Sequence, residues 1–259
     1  MMKLFLLTLF PLLLLLPSYS CFADNDAAEL LKKMDELFRS KSSVATMKMQ
    51  IVTPNWQRTL EMQSWTRGMD DTFIRVLSPR KDRGVATLKI DKEMWNYFPK
   101  INKVIKVPPS MMMGSWMGSD FTNDDLVREV SLVEEYQVSK TEEGENYRLT
   151  LIPKENTVTV WGKIEIVVNQ QSLLPVEQNY FNEKGKQVRT MLFSDIKDFN
   201  GKKMPAIMTM MPLNKTGHKT VIEYVEAEFD IELPGNVFTL LTINTIFSFI
   251  VLIALTDNR

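Results

Sequence analysis

The sequence predicts a mainly β domain with a few helices, and three observations carry that expectation. Short segments alternate apolar and polar residues, as in "ATMKMQI" (Ala45–Ile51), where Ala45, Met47, Met49 and Ile51 fall on one face. Glycine turns such as Glu143-Gly144 and Glu183-Lys-Gly185 separate several of these segments. Helical periodicity is confined to two stretches. Many short strands of period two describe an antiparallel sheet that is polar on one side.

The elements follow in chain order. Met1-Met-Lys3, the apolar run Leu4–Leu16 and "PSYSCFAD" read as a secretory signal peptide. The small residues Cys21 and Ala23 place cleavage after Ala23, so residues 1–23 are expected to be removed. The alternative is a lipoprotein signal acylated at Cys21. Ser18 and Tyr19 fit that poorly, because an aliphatic residue is usual three before the cysteine. Asp24–Ser40 repeats Leu30, Leu31, Met34, Leu37 and Phe38 at helical spacing, with charges opposite. Beyond Ala45–Ile51 the alternation resumes in "YRLTLIP", in "WGKIEIVV" with Ile164, Ile166 and Val168 inward, and in "KMPAIMTMMP". Thr122 with Asp125 three residues on is a variant capping box, predicting a second helix whose start favours Asp124 and Asp125.

Composition excludes several function classes. Cleavage removes the chain's one cysteine, and with it any disulfide, thiol nucleophile or thiolate ligand. Without Lys3 there are 30 basic and 32 acidic residues, which is no footprint for nucleic acid. The lone histidine, His218, lies in the polar turn "NKTGHKT". No His-x-Glu, Gly-x-Ser-x-Gly or phosphate-cradling glycine loop occurs, and Glu134-Glu135 and Glu142-Glu143 are polar surface pairs. No catalytic residue, metal or cofactor is expected.

One segment resists a purely structural reading. "KVPPSMMMGSWMGSDF" (Lys106–Phe121) holds no charge from Val107 to Ser119, yet Pro and Gly break it too often for a core helix or central strand. A greasy loop covers something apolar, either the domain's own core or a ligand cavity. Methionine numbers 17, and flexible thioethers suit surfaces that accept varied apolar partners. Tryptophans at 56, 65, 95, 116 and 161 add flat apolar area.

The order Gly84, Met94-Trp95-Asn-Tyr97-Phe-Pro99, Met117-Gly-Ser-Asp120-Phe121 and Asp125-Leu126 resembles the LolA-like family, the outer-membrane lipoprotein-sorting group. The resemblance covers roughly Asp24–Leu240 and implies a curved, incomplete antiparallel β-barrel with a helical and loop lid over an apolar cavity. It implies a non-enzymatic periplasmic carrier for the acyl chains of lipids or lipoproteins, moving them towards the outer membrane. An inner-membrane RND-type or lipoprotein-releasing transporter is the implied partner. The alternative is an accessory envelope subunit that docks on an RND-type exporter without carrying cargo. Met94, Trp95, Tyr97, Met111, Met112, Met113, Trp116, Met117 and Phe121 are the candidate cavity or lid residues.

The C-terminus departs from that pattern. Val237–Leu255 is 19 residues without a charge, about the minimum for a membrane span. Residues 241–259 are expected to be a tail beyond a domain of residues 24–240. A frameshifted end, a membrane anchor and a buried final strand all stay open.

Overall fold

The computed structural model describes residues 22–38, 40–68, 70–127, 132–157 and 159–245. Cys21 and nearly all of the expected signal peptide lie outside them, as does the tail from Ile246 onward. The chain opens with α1 (Phe22–Phe38) and enters β1 (Ser42–Val52), β2 (Gln57–Arg67), β3 (Asp71–Ser78), β4 (Ala86–Ile90), β5 (Glu93–Phe98) and β6 (Lys103–Lys106). The loop 107–122 leads into α2 (Asn123–Val127) and α3 (Leu132–Glu135). Next come β7 (Tyr136–Glu143), β8 (Asn146–Pro153), β9 (Lys163–Asn169), β10 (Pro175–Phe181), β11 (Gln187–Phe199), β12 (Lys202–Pro212) and β13 (Lys219–Phe229). A final α4 (Leu240–Thr245) follows.

All strands form one 13-stranded antiparallel sheet in the order β6-β5-β4-β3-β2-β1-β13-β12-β11-β10-β9-β8-β7. It does not close, because β6 and β7 end it. Only one non-sequential neighbour is needed, where β1 meets β13 over ten residue pairs from Ser43–Phe229 to Val52–Lys219. β12 and β13 share just four, Ile207–Met210 against Thr220–Glu223. Register shifts at Thr46/Met47, Glu61/Met62 and Tyr180/Phe181 are bulges that bend and twist the sheet.

Alternation sorts the side chains as the sequence predicts. Ala45, Met47, Met49 and Ile51 are buried on the concave face, while Lys48 and Gln50 are exposed. Ile164, Ile166 and Val168 are likewise buried, in a second cluster beneath Ala27, Leu30, Leu31 and Met34 of α1. A third cluster sits on the convex face. There Val237, Phe238 and Ile243 cover Phe73, Ala86 and Leu88. The domain expected to end at Leu240 therefore packs further: Ile243 is fully buried, and its carbonyl accepts a 3.0 Å bond from the Arg75 guanidinium. Among the described residues no helix is long and apolar enough to cross a membrane.

Candidate functional site

The concave face does not fill itself. Between the first and second clusters lies a cavity of about 470 Å³. Its floor carries Met47, Met62, Met191, Met204, Met208 and Met210 from β1, β2, β11 and β12. Met191 packs against both clusters, so the cavity joins them. Ile74, Ile222, Tyr224 and Phe229 widen the apolar wall. Its roof comes from Trp116 and Phe121 of the loop, Leu126 of α2 and Leu132 of α3. Unbranched thioethers can re-pack around objects of different shape, and six on one wall make that wall compliant.

The roof is tied down by polar contacts at defined points. The Trp116 indole N–H donates to Thr87 Oγ1 at 3.1 Å. The Asp120 N–H donates to Thr220 Oγ1 at 2.9 Å, and that hydroxyl donates to Asp120 Oδ2 at 2.8 Å. Met117 (φ 54°) and Gly118 (φ 80°) turn the chain so that the Ser119 N–H reaches the Trp116 carbonyl at 2.9 Å. Both central residues of that turn need positive φ, which a glycine accepts without strain. The predicted capping box forms: the Thr122 N–H donates to Asp125 Oδ2 at 2.8 Å, and the Asp125 N–H to Thr122 Oγ1 at 3.2 Å. The run Arg128–Ser131, part of the helix predicted from Thr122, lies outside the described residues.

A partly buried ion pair fastens α2 to the sheet. Arg189 on β11 donates two bonds to Asp125, at 2.8 and 2.6 Å. Its guanidinium lies 4.0 Å from the Tyr180 ring centroid and 4.4 Å from that of Trp161. Burial opposes the Arg189 charge, but Asp125 and Tyr180 together outweigh it and the pKa stands above the ordinary value. Burial pushes the Tyr180 phenol up to about 12. This clamp was not evident in the sequence. Its one signal was a charged residue within the apolar alternation of "KQVRTML".

The nine sequence-predicted residues separate into four groups. Trp116 and Phe121 line the cavity. Met94 is buried in the adjoining core, and Met117 packs against it half-buried. Trp95 and Tyr97 point to the convex face and pack in the third cluster. Met111 and Met113 are exposed and Met112 is half-buried, with Met113 at a small pocket beside the roof. The sequence missed the floor methionines of β2, β11 and β12. Their signal was the period-two methionines of "KMPAIMTMMP", legible only once the face they share is known to be hollow. Among the described residues no cluster of His, Cys, Asp or Glu could hold a metal.

An open, bent antiparallel sheet with a roofed apolar hollow defines the class: a half-barrel whose interior is kept as space. Solved structures share this fold. A DUF1329 family protein from Desulfovibrio piger superposes with a TM-score of 0.78 at 21% identity, over 85% of this chain and 99% of that one. An outer membrane lipoprotein-sorting protein domain from Vibrio parahaemolyticus gives 0.74 at 19%, over 85% and 99%. A LolA superfamily protein from Nitrosomonas europaea gives 0.67 at 20%, over 82% and 97%. A family model described as "uncharacterized protein"-like matches residues 68–245, more than half of the chain. A comparison with curated protein sequences returns no match. The chain belongs to the family that this model describes, and it shares its fold with the lipoprotein-sorting domain and the LolA superfamily protein.

Proposed function

We propose that the protein is a non-enzymatic periplasmic carrier that shelters acyl chains of lipids or lipoproteins in its cavity on their way to the outer membrane. The methionine-floored hollow of about 470 Å³ carries this reading. Its size falls within the roughly 300–1,000 Å³ of small-ligand sites. Each methylene moved from water into it is worth about 0.8 kcal/mol, so a long chain gains affinity without polar recognition. Asp124 and Glu135 also line the cavity, so part of its wall suits the polar end of a cargo rather than its chain. An accessory subunit on an RND-type exporter would not require the hollow, so the space itself favours a carrier.

Mass spectrometry of lipids extracted from the natively purified protein tests the proposal. Acyl lipids should co-purify in near-stoichiometric amount. Met208→Trp, which fills the cavity from its floor, should weaken a fluorescent fatty-acyl probe about tenfold or more, the loss of a few buried methylenes. A cargo-free protein whose probe binding ignores Met208→Trp would overturn it.

A further inference from the structure

At its first edge the sheet carries a feature that the cavity does not use. β5 turns into β6 through Pro99–Ile101, with Asn102 in left-handed backbone at φ 48°. The register pairs Phe98 with Lys103 and Asn96 with Ile105. It also pairs Met94 with Lys89. Phe98, Lys103 and Ile105 therefore share the face on which Met94 is buried. Along this hairpin and the loop after it, large apolar side chains are bare. Ile101 is 58% exposed and Ile105 47%, and Phe98, Met111 and Met113 are exposed as well. Large apolar side chains gathered in one exposed stretch mark an interaction surface.

Charge is distributed just as unevenly. No acidic residue occurs from Met94 to Ser119, whereas Lys100, Lys103 and Lys106 all lie there. Lys106 pairs with Glu93 and sits 5.5 Å from the Trp95 ring centroid. Lys100 and Lys103 make no ion pair among the described residues. The opposite edge of the sheet is acidic, with Glu142, Glu143 and Glu145 around the turn from β7 to β8.

We propose that the β5–β6 hairpin docks on an anionic lipid bilayer. Ile101 and Ile105 enter the interface, and Lys100 and Lys103 meet lipid phosphates. Apolar side chains interleaved with lysines suit a plane whose depth changes from hydrocarbon to phosphate within a side chain's length. Lysine reaches that boundary with its stem among the apolar groups and its ammonium at the headgroups. A concave protein partner would need no such interleaving. The bilayer contact is also continuous with the cavity cover, since the loop leaving β6 becomes the roof at Trp116 and Phe121. The inference stands independently of the carrier reading.

Vesicle flotation of the full chain tests it. The protein should bind phosphatidylglycerol vesicles at least about tenfold better than phosphatidylcholine vesicles, with the preference fading as salt rises. Ile101→Asp with Ile105→Asp should lose about tenfold or more of that binding. Lys100→Glu with Lys103→Glu should abolish the lipid preference. Both variants change exposed positions, so both should melt like the wild type and keep acyl-probe binding. Several outcomes overturn the proposal: no vesicle binding, equal binding to both lipids, binding unchanged in both variants, or a change of molar mass in the isoleucine variant. The last would assign the hairpin to a contact between copies of the chain.

Discussion

Asp125 serves two partners at once. It caps α2 through Thr122 and receives both bonds from Arg189. Removing one side of a buried pair strands the other charge, at a cost of about 3–5 kcal/mol. Arg189→Ala should therefore lose up to about 3–5 kcal/mol, read as a shifted denaturant midpoint with an unchanged slope. Arg189→Met with Asp125→Leu should recover a large part of it, since an apolar replacement leaves no stranded charge. Tyr180 adds a pH dependence of known sign. Its folded pKa of about 12 lies above the ordinary phenol value, so its contribution is complete below pH of about 10 and fades as pH rises towards 12. Thermal stability should drop across that window, and Tyr180→Phe should flatten the drop. The cap was legible in the sequence, but the pairing with Arg189 was not. A charge inside a strand pattern says that something must compensate it, but the compensating Asp125 lies 64 residues away and meets it only through the fold.

The roof loop shows how far an element can be read from composition. Its missing charges fit a segment laid over apolar residues, yet they do not say which side chains face inward. Trp116 is buried with its indole N–H satisfied by Thr87. Met111 and Met113 are exposed, and the Met111 backbone helps hold the loop together: its carbonyl accepts from Gly114 and from the Asn123 side chain. Met111→Ser, Met112→Ser and Met113→Ser combined should shift the melting temperature by only a few degrees. The separate change Trp116→Ala should cost about 3–5 kcal/mol, because a large buried ring leaves a void. Calorimetry on the two variants separates exposed methionines from the anchored ring. The strands and the capping box were legible because alternation and capping are local rules. The split of Met94 from Trp95 and Tyr97 also follows from alternation, but only the third cluster reveals that the outward pair is covered rather than wet.

At the scale of the whole molecule, the convex face depends on the chain's end. Ile243 fills the third cluster, and its carbonyl accepts one bond from Arg75, whose charge burial disfavours. Truncation after Leu241 should cost about 2–5 kcal/mol or more, the price of emptying a buried aliphatic site, read as a lowered melting temperature. The alternating strands predicted the sheet, and the family resemblance its incomplete closure. The packing of Leu240–Thr245 was hidden, because an uncharged run looks alike whether it meets lipid or a sheet. One further consequence follows from the four-pair contact between β12 and β13. Ten pairs bind β13 to β1, so the narrow contact works as the spine of a book. One leaf is β1–β6 with β13, and the other is β7–β12. Turning the leaves by a small angle changes the volume between them and repacks the first cluster, to which both leaves contribute. Backbone amides along Ile207–Met210 should then exchange with deuterium faster than those of the β1–β2 pairing, and slow when a bulky chain props the leaves at one angle. Girth of cargo would be read by the opening of the book, and fit by the methionines lining its gutter.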